Sequence, residues 1–441
     1  MHTPRVLTAR QAADLVHDGD IVTVSSSSGL GCPDAVLAGL GQRYEETRSP
    51  KNLTSIHPIA AGDMWGIKGI DHIARPGLLS RVVAGSYPSG PSSAEPPRIW
   101  QMIENNEIEA YNFPSGVLYQ LHRAAAAKQP GVLSKVGLDT FVDPRISAGR
   151  MNTVTPDAFV RVHELDGQEW LFYDALVPNV AIIRATTADT HGNLTFEEEA
   201  SPLGALDLAY AAHNNGGVVI AQVKYLAEGG SLSPQAVQVP GILVDAWSWR
   251  RISCRPPRPS TTRQSPGDAT SAEHPRAGAV HPREDHGPPR RGRVAVRGDR
   301  QPRLRCLRAG AARSGRGGIG RRGVLGDRTG PVGGVPLLDF VFGVAQNPDA
   351  IMQSSDQFTL LQGGGFEHSL LSFLEIDQHA TSTCTVCPSA GTSPPESAGS
   401  PTSPPPPRPS CSSDRSRQAA ATSASRTAPC RSGPTARTPN S

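Results

Sequence analysis

The regular alternation of strands and helices in this chain stops at residue 246, and this break limits the folds that the chain can adopt. Up to residue 245, short aliphatic runs alternate with stretches of helical spacing. From Trp247 to Arg328, and again from Thr381 to the end, Arg, Pro, Gly and Ser dominate, and no lysine follows Lys224. These segments carry too little apolar surface to offset the chain entropy lost on folding. We therefore expect a folded N-terminal region, a disordered middle segment and a disordered tail.

Residues 1–245 show the order of elements that is typical of an α/β domain with a mostly parallel sheet. The spacing of apolar residues predicts a helix over Leu7–Val16 and a strand over Ile21–Val24. A Ser/Gly loop follows this strand, and a helix is expected from Pro33. The same reasoning predicts strands over Leu79–Ala84, Val180–Thr186 and Gly217–Val223, a helix over Leu206–Asn214, and, beyond the break, strands over Phe358–Leu361 and Leu370–Ile376. A strand, a Gly/Ser loop and a helix in succession form a ligand-binding arrangement in doubly wound sheets.

Charge and cysteine content exclude several classes of protein. The net charge of +3 is too small to predict a nucleic-acid partner for the whole chain. No apolar run reaches the length of a membrane-spanning helix, and the N-terminus lacks the apolar core of a secretory signal, so we expect a cytoplasmic protein without a membrane partner. Only Cys32 of the seven cysteines lies in the regular region, so disulfides are not expected. Cys384 and Cys387 form a CxxC without a second pair, so no metal site is predicted.

A Gly-Pro-Val-Gly-Gly run begins at Gly330 and is preceded by Asp327, Arg328 and Thr329. Other strings of chemical interest are DGDIVTVSSSSGLGCP, YNFPSGV, GLDTFVDPR, RATTADTHGNLTFEEE and HNNGGVVIAQV before the break, and FGVAQN and QGGGFEHSLLSFLEIDQH after it. In this order they resemble the single-chain acyl-CoA:acetate/3-ketoacid CoA-transferases of the propionate CoA-transferase type, over roughly two thirds of the chain. Several independent motifs in the right order are a much stronger signal than any one of them.

The resemblance implies two open α/β domains with mostly parallel sheets, the second of them incomplete. We expect four parts: a first CoA-transferase domain over residues 1–245, an Arg/Pro/Gly-rich segment over 246–329, a fragment of the second domain over 330–380, and a Ser/Pro/Arg-rich tail over 381–441. It also implies transfer of CoA between a short-chain acyl-CoA and a carboxylate such as acetate, propionate or acetoacetate. Coenzyme A would be a substrate, no cofactor would be bound permanently, and a homo-oligomer is expected.

The family's catalytic residue is a Glu just before the Gly-Pro-x-Gly-Gly run, and Arg328 occupies that position here. In the family this carboxylate attacks the thioester to form an acyl-glutamyl anhydride, which the released thiolate converts into a glutamyl-CoA thioester. An arginine cannot act as this nucleophile, so the chain as written is expected to be nearly inactive. The motif glycines and proline are retained, and backbone N–H groups at glycines can stabilise an oxyanion. The candidate residues are Gly330, Pro331, Gly333 and Gly334 of the motif, and Gly363, Gly364, Gly365, Gly29 and Gly31 for the oxyanion and CoA contacts.

Each of these features has a structural interpretation as well. The loop with Gly29 and Gly31 can be a tight strand-to-helix turn, and Gly363–Gly365 can be a structural turn. The run Glu197–Glu199 is better explained by a solvated face than by an acid/base set.

The irregular segments can be decoded in another reading frame of G/C-rich DNA. Trp247–Cys254, shifted by one base, can read VVVAPDQL, which is a plausible strand and turn. Arg297–Leu307 can read GEIVNLGFGV, and Thr381–Val386 can read NVNVH, which continues the family pattern. The string GDRTG can read AIEQG, which places a Glu at the position of Arg328. Four such matches at the proper places predict a CoA-transferase gene translated through small insertions or deletions.

Two functional hypotheses outside the enzyme class remain. One is a non-catalytic acyl-CoA binder that keeps the family's fold. The other is a fusion whose Arg-rich segment, residues 247–328, binds nucleic acid or a partner domain. No nucleic-acid partner is expected if the segment is out of frame.

Overall fold

An eight-stranded sheet, with all strands parallel, forms the centre of the N-terminal region in the computed structural model. The structure describes residues 4–64, 66–88, 96–249, 329–337 and 343–364, and two short strands at 375–376 and 382–383. The eight strands of the sheet, numbered in chain order with the smaller strands between them, are β1 (Arg5–Leu7), β2 (Ile21–Val24), β3 (Leu53–His57), β4 (Leu79–Ala84), β5 (Glu109–Asn112), β9 (Val180–Arg184), β12 (Val218–Val223) and β14 (Ala246–Trp249). Their spatial order is β1-β14-β12-β9-β2-β3-β4-β5.

Helices cover both faces of this sheet. The described helices are α1 (Ala9–Ala13), α2 (Asp34–Thr47), α3 (Arg98–Glu104), α4 (Ser115–Ala126), α5 (Ala205–His213) and α6 (Ser354–Gln362), with 3-10 turns at Gly69–His72 and Gly241–Leu243. The apolar side chains of α1, α2 and α3 pack in one cluster, and those of α4, α5 and α6 pack in two clusters on the other face. The predicted α/β class with a large, mostly parallel sheet is confirmed.

The second half of the N-terminal region also forms two smaller sheets. A three-stranded antiparallel sheet consists of β6 (Gly131–Ser134), β7 (Val160–Leu165) and β8 (Gln168–Asp174). A second three-stranded sheet consists of β10 (Thr187–Asp189), β11 (Leu194–Thr195) and β13 (Tyr225–Ala227). The first packs against α4, and the second begins where β9 ends.

The sheet reverses its direction of growth between β2 and β9. From β2 the chain adds β3, β4 and β5 on one side, and from β9 it adds β12 and β14 on the other. Ligands in open α/β sheets bind at the carboxyl ends of the strands beside such a reversal. This crevice is the first place to look for a functional site.

Most elements predicted in the first region are present within two residues of the expected ends. The strands at Ile21–Val24 and Leu79–Ala84 have the predicted bounds, and β9 ends at Arg184, two residues before the predicted end. The first helix is shorter than predicted because Leu7 belongs to β1 and Thr8 caps the helix. The Thr8 hydroxyl accepts a hydrogen bond from the Gln11 N–H, and the Gln11 side chain accepts one from the Thr8 N–H.

The sheet continues past the predicted domain boundary at residue 245. Ala246–Trp249 form β14, which lies between β1 and β12 and pairs with both in parallel. The expected end of regular structure at 246 is therefore wrong for these four residues, because the backbone pairing available between two strands outweighs their side-chain pattern.

Residues 329–364 form two short antiparallel pairs and a helix. β15 (Pro331–Val332) pairs with β18 (Ala350–Ile351), and β16 (Val335–Pro336) pairs with β17 (Ala345–Gln346). The strand predicted over Phe358–Leu361 is wrong, because these residues lie in α6 and bury Phe358 against the first region. Within the predicted strand Leu370–Ile376 the structure describes only β19 (Glu375–Ile376), which pairs with β20 (Ser382–Thr383).

The predicted middle segment and tail lie almost wholly outside the described residues. Among the residues that the structure does describe, no helix is both long enough and apolar enough to cross a bilayer.

Candidate active site

The crevice between β2 and β9 is lined by the loop that follows β2. The Ser25 N–H donates to the carbonyl of Ile182, and the Ser25 hydroxyl accepts a hydrogen bond of 3.2 Å from the N–H of Arg184. The Ser26 hydroxyl donates to the carbonyl of Ala60 beyond β3. Ser25, Ser26 and Ser27 are all buried. This loop is therefore bonded to the ends of both neighbouring strands.

The glycines of this loop are required by close approach of the chain to itself. A Cβ placed on Gly31 would lie 2.5 Å from Cδ1 of Leu203, and a Cβ on Gly29 would meet the carboxylate of Asp63. Ser27 and Leu30 exchange two backbone hydrogen bonds. These contacts support the structural interpretation of Gly29 and Gly31 as residues of a tight turn.

The helix that follows the loop already has a partner at its N-terminus. The side-chain oxygen of Gln222, in β12, accepts hydrogen bonds of 2.8 and 3.2 Å from the N–H groups of Ala35 and Val36. Two of the N–H groups that a phosphate could use at the start of α2 are therefore satisfied within the protein.

The Gly-Pro-Val-Gly-Gly motif lies in β15 and the turn after it. Gly333 and Gly334 have φ values of 75° and 70°, which L side chains rarely adopt, and they form a bend between β15 and β16, which both run antiparallel to the returning strands β17 and β18. The carbonyl of Gly330 accepts a hydrogen bond of 2.9 Å from the Met352 N–H. A Cβ on Gly330 would lie 2.7 Å from the hydroxyl oxygen of Ser201. Only glycine fits at position 330.

The motif and the crevice loop meet, although about 300 residues separate them in the sequence. A Cβ placed on Gly343 would lie 2.8 Å from Cγ2 of Thr329 and 3.4 Å from Cδ1 of Leu30. Thr329 is buried and its hydroxyl donates to the carbonyl of Gly343. The segment Ser201–Leu203 contacts both parts, since Ser201 adjoins Gly330 and Leu203 adjoins Gly31. The structure thus places Thr329, the residue next to position 328, at the crevice; Arg328 itself lies outside the described residues.

A buried ion pair supports the segment under the motif. Nε of Arg184, at the end of β9, lies 3.0 Å from Oε1 of Glu199, and both side chains are largely buried. The expectation that Glu197–Glu199 form a solvated face is confirmed for Glu197 and Glu198, which are exposed, and is wrong for Glu199, which is buried. Glu197 accepts a hydrogen bond from Thr187, and Glu198 pairs with Lys224. Sequence reasoning missed these roles because the partners lie on other strands.

The other predicted oxyanion candidates lie elsewhere along α6. Gly363 follows the last residue of α6, and Gly363 and Gly364 are exposed. The adjacent Gln362 packs against Gly116 in the first turn of α4, where a Cβ would overlap its side-chain amide. A helix of nine residues spans about 13 Å, so these glycines lie roughly that far from the motif end of α6. Gly365 lies outside the described residues.

Two buried titratable groups near the strand ends have shifted pKa values. Burial lowers the pKa of His57, at the end of β3, to about 3. Among the described residues neither ring nitrogen has a hydrogen-bond partner, and the ring packs edge-on against Tyr87. Burial also raises the pKa of the Cys32 thiol, so this cysteine is not a candidate nucleophile. In the part of the chain that the structure describes, no group of three or more His, Cys, Asp or Glu side chains is arranged to hold a metal ion.

Comparisons with known proteins agree with this architecture. The sequence profile of the Coenzyme A transferase family matches residues 6–246. The acetate CoA-transferase YdiF of Escherichia coli (strain K12) is 34% identical over 396 residues, which cover 85% of this chain and 70% of that protein. The caffeate CoA-transferase of Acetobacterium woodii is 38% identical over 241 residues, which cover 55% of this chain and 45% of that protein.

Solved structures give the same result. The crystal structure of the acyl-CoA transferase YdiF apoenzyme from Escherichia coli O157:H7 superposes with a TM-score of 0.68 at 31% identity, over 86% of this chain and 71% of that one. A thioester complex of the same enzyme with CoA superposes equally well. The family profile, the relative that is 34% identical over 85% of this chain and the solved structure agree, and the chain therefore belongs to the Coenzyme A transferase family.

Proposed function

We propose that this protein is a CoA-transferase that moves CoA between a short-chain acyl-CoA and a carboxylic acid through a glutamyl-CoA thioester, and that the chain as written has lost the nucleophile. The observation that carries the proposal is the placement of Thr329 and Gly330 at the crevice between β2 and β9, one residue after the position where the family has its Glu. The YdiF thioester complex with CoA supports a covalent intermediate in that relative.

The proposed reaction needs a carboxylate at position 328. Its oxygen attacks the thioester carbonyl, the C–S bond breaks, and CoA leaves as a thiolate. The thiolate then attacks the glutamyl carbonyl of the anhydride and releases the first carboxylic acid, and the second acid takes the CoA by the reverse steps. CoA binding energy and fixed backbone dipoles must supply much of the activation, because a carboxylate is a weak nucleophile.

We expect the described side chains beside the motif not to replace the missing carboxylate, although the carboxylate of Asp349 lies against Gly333, five residues beyond position 328. The hydroxyls of Thr329, Ser201 and Ser354 each donate to a backbone carbonyl. Glu199 is the nearest carboxylate along the supporting segment, but it is buried and paired with Arg184. Arg328 would bring a cation to a site whose chemistry requires a nucleophile. We therefore expect the chain as written to be nearly inactive.

Strand β14 supports the shifted reading frame. Among the described residues, Nε1 of Trp247 and the hydroxyl of Ser248 are buried without hydrogen-bond partners, and Trp249 is exposed. The neighbouring strand β12 has the sequence VVIAQV. The shifted reading puts three valines at positions 247–249, which removes both unpaired polar atoms from a buried parallel sheet.

The finer features of the site belong to the same proposal. Gly363–Gly365 remain our candidates for the oxyanion and CoA contacts, and Gly29 and Gly31 remain candidates for a supporting role at the crevice. Acceptors of the acetate, propionate and acetoacetate class, a cytoplasmic location and a homo-oligomer are inferred from the resemblance. Coenzyme A is a substrate here, and no permanently bound cofactor is proposed.

Trapping of the covalent intermediate tests the proposal. Two proteins are compared: the chain as written, and a frame-restored chain in which the segments around residues 247–254, 297–307, 326–329 and 381–386 carry the shifted readings. After incubation with acetyl-CoA or propionyl-CoA, each is treated with borohydride or hydroxylamine and digested for mass spectrometry. We expect modification at position 328 and CoA transfer only in the frame-restored chain.

Covalent modification of the chain as written, with equal turnover, would contradict the proposal. CoA binding by the chain as written without any adduct would identify it as a non-catalytic acyl-CoA binder. Salt-dependent RNA binding by residues 247–328 would support the nucleic-acid reading, and that segment lies outside the described residues apart from its first three.

A further inference from the structure

We infer that helix α6 is the docking element that fixes the Gly-Pro-Val-Gly-Gly motif on the first region, with Phe358 as its anchoring residue. The catalytic meaning of this inference rests on the proposed function, because it concerns where position 328 is held. The docking itself is independent of any activity.

Phe358 inserts into the first region where α4 leaves room for it. Its side chain is 1% exposed and packs in the same apolar cluster as α5. The rings of Phe358 and Tyr119 lie 5.8 Å apart in a tilted arrangement. A Cβ on Gly116 would lie 3.1 Å from Cβ of Phe358, so the missing side chain at Gly116 allows the close approach of the two helices. Burial of this ring removes its apolar surface from water, which favours the docked position of the helix.

Polar contacts hold the same helix in one orientation. The guanidinium of Arg123, in α4, donates to Asp207 in α5 and to both Ser355 and Asp356 in α6, at 2.9–3.0 Å. At the other end of α6, the amide of Gln120 donates to Gln362 at 2.8 Å. Contacts at both ends of the helix fix its register along α4.

Hydrogen bonds connect the start of α6, and the residues just before it, to Thr329 and the motif. The hydroxyl of Ser354 is fully buried and donates to the carbonyl of Thr329 at 2.7 Å. Met352, two residues earlier, donates its N–H to the carbonyl of Gly330, and its own carbonyl accepts from Ser201. Thr329 and Gly330 are thus bonded to Ser354 and Met352, and Met352 is bonded in turn to Ser201 of the first region.

The described strands around the motif are short. The pairs β15–β18 and β16–β17 contain two residues in each strand, and isolated two-stranded pairs are marginal in water. We therefore expect the docking of α6 to supply a large part of the free energy that orders Thr329–Pro336. Phe358, Arg123 and Ser354 are positioning residues in this view, since none of them is placed at the reacting atoms.

Hydrogen exchange of the full chain, read peptide by peptide, tests the inference. Phe358→Ala is compared with Leu360→Ala, which truncates a residue of the same helix that is 38% exposed. In Phe358→Ala we expect exchange in peptides covering residues 329–337 and 343–364 to accelerate by at least about tenfold, while β2, β9 and β12 stay protected. Leu360→Ala should exchange like the parent chain.

Unchanged exchange at 329–337 in Phe358→Ala, with faster exchange confined to 354–362, would overturn the inference. If Phe358→Ala does not fold, the inference is tested with Ser354→Ala, which removes the hydrogen bond to Thr329 and leaves Phe358 in place. It should accelerate exchange at 329–332 and keep α6 protected, and uniform protection would again overturn the inference.

The frame-restored chain adds a kinetic readout. A loosened motif should lower kcat in Phe358→Ala after correction for the fraction of trappable enzyme, with the KM for acyl-CoA little changed. A fall in the amount of folded enzyme alone would leave the corrected kcat unaltered. Because exchange is measured on the chain as written, a failure of the glutamyl mechanism would not affect the docking result.

Discussion

Residues 4–249 and residues 329–364 reach their order by different physical routes. The first region has an eight-stranded sheet with apolar clusters on both faces, and its elements contact one another over long sequence distances. In the second, the described residues 329–337 and 343–364 form four strands of two residues and one helix of nine. Its most deeply buried side chains are Thr329, Ser354, Gln357 and Phe358. The comparison favours our inference that the first region places the Gly-Pro-Val-Gly-Gly motif, because the described structure around the motif is small.

The largest effect at neutral pH is expected from the buried ion pair at the boundary between the two regions. Glu199→Gln leaves the guanidinium of Arg184 buried without its carboxylate, and breaking a buried pair costs about 3 kcal/mol or more. Chemical denaturation would measure the loss in the free energy of unfolding. Glu45→Gln removes an exposed partner of Arg75 and should cost about 1 kcal/mol or less. Equal losses in the two variants would show that the buried pair is not a special feature of the boundary.

Acid should destabilise the first region through His57. Burial lowers the pKa of His57 to about 3 from its ordinary value of 6.5. Between these values the unfolded chain binds a proton that the folded chain does not, so the free energy of unfolding falls as the pH drops through this window. The limiting loss, reached only below pH 3, is about 5 kcal/mol, by the relation of 1.36 kcal/mol to each pKa unit.

The variant His57→Phe removes this proton and keeps an aromatic ring beside Tyr87. Its unfolding free energy, measured by urea titration from pH 7 to pH 4, should fall less than that of the parent chain. His213→Gln, at the exposed end of α5, should follow the parent curve. If the unfolding free energy of His57→Phe falls with pH as steeply as that of the parent chain, the acid sensitivity comes from other groups.

Ser248→Ala in β14 should stabilise the first region, although it removes a polar atom. The Ser248 hydroxyl is buried and has no partner among the described residues, so its removal should gain about 1 kcal/mol. The matched change Ser25→Ala removes a hydroxyl that accepts from the Arg184 N–H and should cost about 1 kcal/mol. Thermal unfolding of both variants measures whether each change raises or lowers the stability. A lower stability in both variants would mean that β14 no longer supports the shifted reading frame.

The smallest effect is expected at the edge of the sheet. Thr8→Ala removes the capping box of the five-residue helix α1 and should cost about 0.5–1 kcal/mol. Thr8→Ser keeps the hydroxyl and should cost less. Faster hydrogen exchange at residues 329–337 in Thr8→Ala would show that the second region responds to any loss of stability in the first. The specific role that we infer for α6 would then be unsupported.

The sequence correctly predicted those elements whose secondary structure follows from their own local pattern of residues. The strands at Ile21–Val24 and Leu79–Ala84 are short apolar runs between turn residues, and both were found as predicted. Phe358–Leu361 is also such a run, but contacts with Tyr119 and Gly116 make it a helix, and these contacts are invisible in a local pattern. The burial of Glu199 was missed for the same reason, because it depends on Arg184 at the end of another strand.

The motif itself was found from the sequence, but its surroundings were not. Gly330 requires glycine because Ser201 and the Met352 carbonyl lie against it, and these residues come from distant parts of the chain. The unpaired polar atoms of β14 likewise appear only when Trp247 and Ser248 are seen inside the sheet. Such contacts are tertiary, so neighbouring residues carry no signal for them.

The central claim is that a carboxylate belongs two residues before Gly330 in the functional protein. Peptide sequencing by tandem mass spectrometry of the protein isolated from its source cells, over the peptide that contains Gly-Pro-Val-Gly-Gly, tests it directly. We predict that the residues before this motif spell Ala-Ile-Glu-Gln. Recovery of Gly-Asp-Arg-Thr at this position, from a protein that transfers CoA, would contradict the claim.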